Sequence, residues 1–139
     1  MSKIFKVFDR LESQQNMAYS LIRIFLGLAL LVRGGILVSN PGALIELIGE
    51  DKLHMWFSYV TIGHLLGGLS LTLGLYSRVG ALMQIPILLG AVFMVHREGF
   101  MMGGQSLELA ILVLFLLVIY FLFGAGPLSL NRYFHLPSI

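Results

Sequence analysis

Residues 61–80 read "TIGHLLGGLSLTLGLYSRVG", an apolar, glycine-rich run with His64 inside it and Tyr-Ser-Arg near its close. Gly63, Gly67, Ser70 and Gly74 recur at steps of four, three and four. At roughly 100° per residue they fall on one helical stripe. Small side chains along a stripe let a second helix approach closely, which is how helices mainly associate in hydrocarbon. The expected mate is the preceding apolar run, where Gly27 and Gly34 stand seven apart. His64 borders this seam and is expected to point toward whatever the helices enclose. An ionisable ring in an apolar run is costly, which makes it the first candidate functional residue.

The rest of the chain has the same character. Of 139 residues, 58% are hydrophobic and 12% charged, and the mean hydropathy is +0.91. Soluble domains carry about 25% charged residues, so the composition argues for a bilayer as solvent. Four stretches, 17–38, 55–75, 79–95 and 107–124, are long enough to cross a hydrocarbon core of about 30 Å. The expected fold is therefore all-α: residues 1–139 form one polytopic membrane domain, a four-transmembrane-helix bundle. Residues 1–16 form its leader. Within the leader Ile4, Phe5, Phe8 and Leu11 share a helical face, with Lys3, Lys6 and Arg10 elsewhere, the pattern of a short N-terminal amphipathic helix on the membrane surface. The leader is too long and acidic for a signal peptide, and no small-residue cleavage site follows the first run.

Basic residues near span ends orient such a bundle. Lys3, Lys6, Arg10, Arg78 and Arg132 share one side, whereas Lys52 and Arg97 on the other stand among Glu46, Glu50, Asp51 and Glu98. Both termini are thus expected in the cytoplasm. The net charge of +2 reflects this orientation, and without a basic cluster interleaved with aromatics there is no nucleic-acid signal. Cysteine is absent, which excludes disulfides, thiolate metal sites and thiol catalysis. No Walker loop, dinucleotide fingerprint, HExxH or GxSxG is present, so no haem, flavin or metal motif can be read from the chain. Any chemistry falls to His, Arg, Glu, Gln, Tyr or a bound cofactor.

Depth sorts the remaining polar residues. His64 lies ten residues into its span from His54, about 15 Å by helical rise. Arg33 stands in the outer half of the first span, and Glu108 opens the fourth from outside, preceded by Gln105. His96, Arg97 and Glu98 close the third span at that face. Glu46 belongs to "PGALIELIG" (41–49), expected to re-enter or lie along the outer interface. One outer pocket can collect Arg33, Glu46, His64, His96, Arg97, Gln105 and Glu108, with Arg33 pairing Glu46 or Glu108 to offset its burial. A haem shared by His64 and His96 is rejected, because their heights differ by roughly 13 to 15 Å. A metal on His64, Glu108 and Glu46 has no spacing motif behind it. Arg23 and Arg78 read as cytoplasmic-edge anchors. Gln84 reads as a partner for backbone groups freed by Pro86.

The run "GHLLGGLSLTLGLYSRVGAL" resembles the second-helix signature of the DoxX family, a histidine and glycines followed by Leu-Gly-Leu and Arg. The first-span "RIFLGLALLVRGG" and the terminal "GAGPLSLNRYF" agree in order and spacing. The resemblance implies a small four-helix protein of the bacterial cytoplasmic (inner) membrane. Members related to it include the membrane subunit of thiosulfate:quinone oxidoreductase, and others occur with redox or detoxifying partners. What this implies here is a quinone as cofactor, with His64, Arg33 and Glu108 as candidate ligands of its headgroup. The chain departs from that chemistry in lacking any cysteine for a sulfur substrate and any motif for an electron carrier.

Two functions are compatible with these residues. In the first, the chain is a membrane subunit of a quinone-linked redox system. His64 and Glu108 are then catalytic: His64 delivers a proton, since an imidazole suits transfer near neutral pH, and Glu108 orients it or relays protons. Arg33, His64, Glu46, His96, Arg97 and Gln105 bind the headgroup, and a partner supplies electrons. In the second, the bundle is a non-catalytic anchor, scaffold or assembly factor whose small-residue seams serve a homo-oligomer or a hetero-complex with a redox or assembly partner. Solute transport is weaker, because four short helices would have to oligomerise to form a path. Fold alone does not choose between them.

Overall fold

The computed structural model describes residues 14–40, 42, 53–95 and 107–136. All regular structure among them is helical. Helix α1 spans Gln15–Ser39, α2 Leu53–Leu73, α3 Ser77–Gly90, α4 Leu107–Phe123 and the single-turn α5 Leu130–Tyr133, while Ala91–Val95 continues α3 as a π-helical turn. These helices coincide with the four apolar stretches to within two residues at each end. Residues 1–13, which hold nearly all of the expected surface helix, lie outside the described residues, as does the stretch 41–49 apart from Gly42. On length and composition, α1 is the one described helix that clearly suffices to cross a membrane. Ser77–Phe93 and Leu107–Phe123 are apolar but shorter. Helix α2 has 21 residues, with a hydropathy lowered by its glycines, hydroxyls and His64.

Consecutive helices pack on one another, α1 on α2, α2 on α3 and α3 on α4. Helix α1 buries Ser20, Arg23, Leu26, Gly27, Leu30, Gly34 and Leu37, at the three- and four-residue spacing of one helical face. Leu26 and Leu30 join Leu71, Ala81, Ile87, Leu88, Ala110, Leu117 and Tyr120 in a single core. The opposite faces carry Phe25, Val32, Ile36, Phe93, Phe115 and Phe123, with Phe25 and Phe123 each 75% exposed. An outer surface this apolar is suited to hydrocarbon and far exceeds what water tolerates on a monomer.

The helix seams correct the expected pairing. The stripe of Gly63, Gly67 and Ser70 does not face α1 but α3: a side chain at Gly63 would run into Ile87, and one at Gly67 would lie 2.8 Å from Gln84 Nε2. A side chain at Gly80 of α3 would in turn lie 2.8 Å from Ser70. Gly27 instead meets Gly68 and Thr72, and Gly34 meets Leu65 and His64. Helix α2 therefore has two small-residue faces, about 120° to 160° apart by helical rotation. Gly74 ends α2 in the left-handed region, φ 68°, with Leu75 N–H bonded to Ser70 C=O at 3.0 Å. This is the Schellman pattern, which favours glycine. A Cβ there would also strike the Arg23 guanidinium.

Candidate functional site

His64 lies between the two seams of α2 and is 3% exposed. Its Nδ1 stands 2.8 Å from the Val60 carbonyl, one turn back. A carbonyl has no proton to give, so Nδ1 carries the hydrogen; in the neutral ring Nε2 then holds the lone pair. The bond fixes both tautomer and ring direction. Gly34 of α1 lies against the His64 Cβ, and the adjacent Arg33 is within electrostatic range of the ring. Arg33 sits at the edge of the buried arc of α1, with its side chain exposed. Gln84 of α3 reaches the same level, donating Nε2 to the Gly63 carbonyl at 2.8 Å. That corrects its expected role beside Pro86, because the amide is spent on the neighbouring helix. Gln84 is fully buried, yet its Oε1 has no hydrogen-bond partner.

Glu108 stands in the first turn of α4, half-buried. The Tyr19 and Tyr120 rings meet at 4.8 Å, tilted by 46°, which brings those levels of α1 and α4 together. From that level Glu108 lies about 18 Å up α4 by helical rise, and Arg33 about 21 Å up α1. Helical rise alone thus puts Glu108 and Arg33 near one height, and Gly34 beside Arg33 lies against His64. Glu46, His96, Arg97 and Gln105 lie outside the described residues.

At the opposite end the structure assigns Arg23 a role that its position in the sequence conceals. Read as an edge anchor, it is instead wholly buried. Its Nη1 donates to the Ala125 carbonyl at 2.7 Å and its Nη2 to the Leu128 carbonyl. Around it Tyr19 Oη donates to the Gly124 carbonyl at 2.8 Å, Tyr120 Oη to the Tyr19 carbonyl at 2.9 Å, and Leu128 N–H to Ser20 Oγ at 3.3 Å. Gly124 and Gly126 have φ of 84° and 76°. The segment after α4 therefore turns with carbonyls exposed, and Arg23 receives them. Arg23 belongs to this fastening and not to the His64 level.

The unpartnered oxygen of Gln84 yields a prediction. Gln84→Met removes one neutral hydrogen bond, about 1 kcal/mol, and also a buried acceptor whose desolvation costs a similar amount. Stability in detergent is expected to stay within about 1 kcal/mol of wild type. A much larger loss would mean that Oε1 has a donor in the protein's working state.

A family model described as DoxX matches residues 18–97, more than half of the chain. No curated protein and no solved structure matches it.

Proposed function

We propose, since this chain belongs to the DoxX family of membrane-associated proteins, that it is a quinone-binding membrane subunit of a redox system. In this reading all four long helices cross the bilayer of a bacterial inner membrane, with the Arg23 end in the cytoplasm. The observation that carries the reading is the His64–Val60 bond: it holds one buried imidazole in a single tautomer, with Nε2 as its acceptor nitrogen. A quinone would supply the two-electron chemistry that no side chain of this chain supplies, and a partner protein would deliver or remove the electrons.

The residues fit such a headgroup. A ring carbonyl needs a donor, and the Arg33 guanidinium is one. A ring hydroxyl needs an acceptor, and His64 Nε2 is one. The tautomer also revises the expected proton traffic, because neutral His64 takes a proton at Nε2 before it can deliver one. Glu108, at the same height, is the group proposed to pass that proton onward. Gln84 Oε1 offers a further buried acceptor next to the level of His64. Glu46, His96, Arg97 and Gln105 complete the proposed set on sequence grounds.

The test is to purify the full chain in mild detergent and extract its bound small molecules, with detergent-only and unrelated-membrane-protein controls. Wild type is expected to hold quinone in stoichiometric amount, and His64→Ala to lose it at least tenfold while keeping its helical content. Background quinone in both, with the helices intact, would overturn the redox reading in favour of an anchor or scaffold.

A further inference from the structure

A second polar site lies about 15 Å from the His64 level along α2 by helical rise, and none of the proposed redox residues belongs to it. A half-open cavity of about 330 Å³ is lined by Ser77, Arg78, Ser129, Asn131 and Arg132, with Phe123 and Leu136 at its margin. Arg78 comes from the first turn of α3 and Arg132 from α5. The Arg78 Nε is buried without a hydrogen-bond partner. Its Nη2 makes a long bond of 3.4 Å to the Leu122 carbonyl. A Cβ at Gly124 would be in ordinary contact with Nε, at 3.6 Å. A buried guanidinium N–H left unmatched marks a place where an acceptor is missing.

Among the described residues the charge at this end is one-sided. Arg23 adds a third guanidinium through Ala125, which it bonds and which also lines the cavity. The first turn of α3 adds the positive end of a helix dipole. Glu108 is the single carboxylate among the described residues, and it stands at the far end of α4. Ser77 and Ser129 supply hydroxyls that either donate or accept. Two guanidinium forks with flanking hydroxyls match the several acceptor oxygens of a phosphate group.

We propose that this cavity binds a phosphate group, and that the group is the headgroup of an anionic phospholipid. The apolar margin favours the lipid source over the free ion: Phe123 is 75% exposed and Leu136 38% exposed beside the arginines, where an acyl chain would lie.

The full chain is reconstituted in zwitterionic nanodiscs doped with phosphatidylglycerol, and bound lipid is counted by native mass spectrometry after release into detergent. Wild type is expected to retain about one phosphatidylglycerol per chain, in preference to phosphatidylcholine. Arg78→Gln and the exposed Arg132→Gln each lower that retention at least tenfold. Arg78→Lys lowers it too, because an ammonium keeps the charge but loses the fork. Inorganic phosphate in a separate arm is expected to displace the lipid only weakly; displacement at equimolar phosphate would overturn the lipid source and assign the site to a free anion. Equal retention of the two lipids, or Arg78→Lys behaving as wild type while both Gln variants fold, would overturn the site and leave only diffuse positive charge.

Discussion

Arg23→Met is expected to be strongly destabilising. It removes two hydrogen bonds from a charged donor, each contributing roughly 1.5 to 3 kcal/mol. It also leaves the part-buried Ala125 and Leu128 carbonyls without that donor. The relief from burying one cation fewer offsets part of this. A net loss of about 3 kcal/mol is expected, read as a lower unfolding midpoint in detergent. The damage should start locally. Residues 124–136 are held by Arg23, Tyr19 and Ser20, so limited proteolysis is expected to cut there first. Arg23→Lys keeps the charge, but one ammonium cannot serve both carbonyls with the same geometry, so an intermediate loss is expected. An Arg23→Met chain with an unchanged midpoint and a protected tail would show that the guanidinium does not hold the segment.

The second large effect is a contrast between two glycines of one helix. A methyl at Gly27 would lie 2.5 Å from Thr72 N and 2.8 Å from the Gly68 carbonyl. Both are backbone atoms, so α1 and α2 must move apart to admit it. Gly27→Ala is expected to cost about 2 to 3 kcal/mol through overpacking, more than the gain in helix propensity of about 1 kcal/mol. Gly35 has nothing within 4 Å of its built Cβ. Gly35→Ala should therefore be neutral or stabilise by up to about 1 kcal/mol. Thermal unfolding of the two variants side by side decides the matter, and equal midpoints would refute the close crossing of α1 and α2.

Helix positions were legible because a long apolar run has one economical way to satisfy its own backbone polar groups away from water, an unbroken helix. Partner choice was not. Helix α2 carries Gly63, Gly67 and Ser70 on one side and Gly68 and Thr72 on another, and a stripe alone does not say which neighbour fills it. Ile87 and Gln84 took the first; Gly27 and Leu31 took the second. The buried setting of His64 was readable from its place beside the seam. Its tautomer was not, since that depends on the ring turning back to Val60. Arg23 was misread because arginines near the end of a span usually reach for water. A signal did exist: Tyr19, Ser20 and Arg23 form a polar cluster within one turn, and "GAGPLSL" is a turn-rich segment whose carbonyls need donors.

The fastening at Arg23 joins residues 102 and 105 positions apart in the chain. During synthesis α1 emerges first, and its arginine stays without acceptors until the segment beyond Gly124 has been made. Arg23 therefore stays unmatched while α2, α3 and α4 are made, and residues 125–128 end that state. A chain cut short after α4 would retain the four long helices among the described residues and still leave Arg23 without its two acceptors.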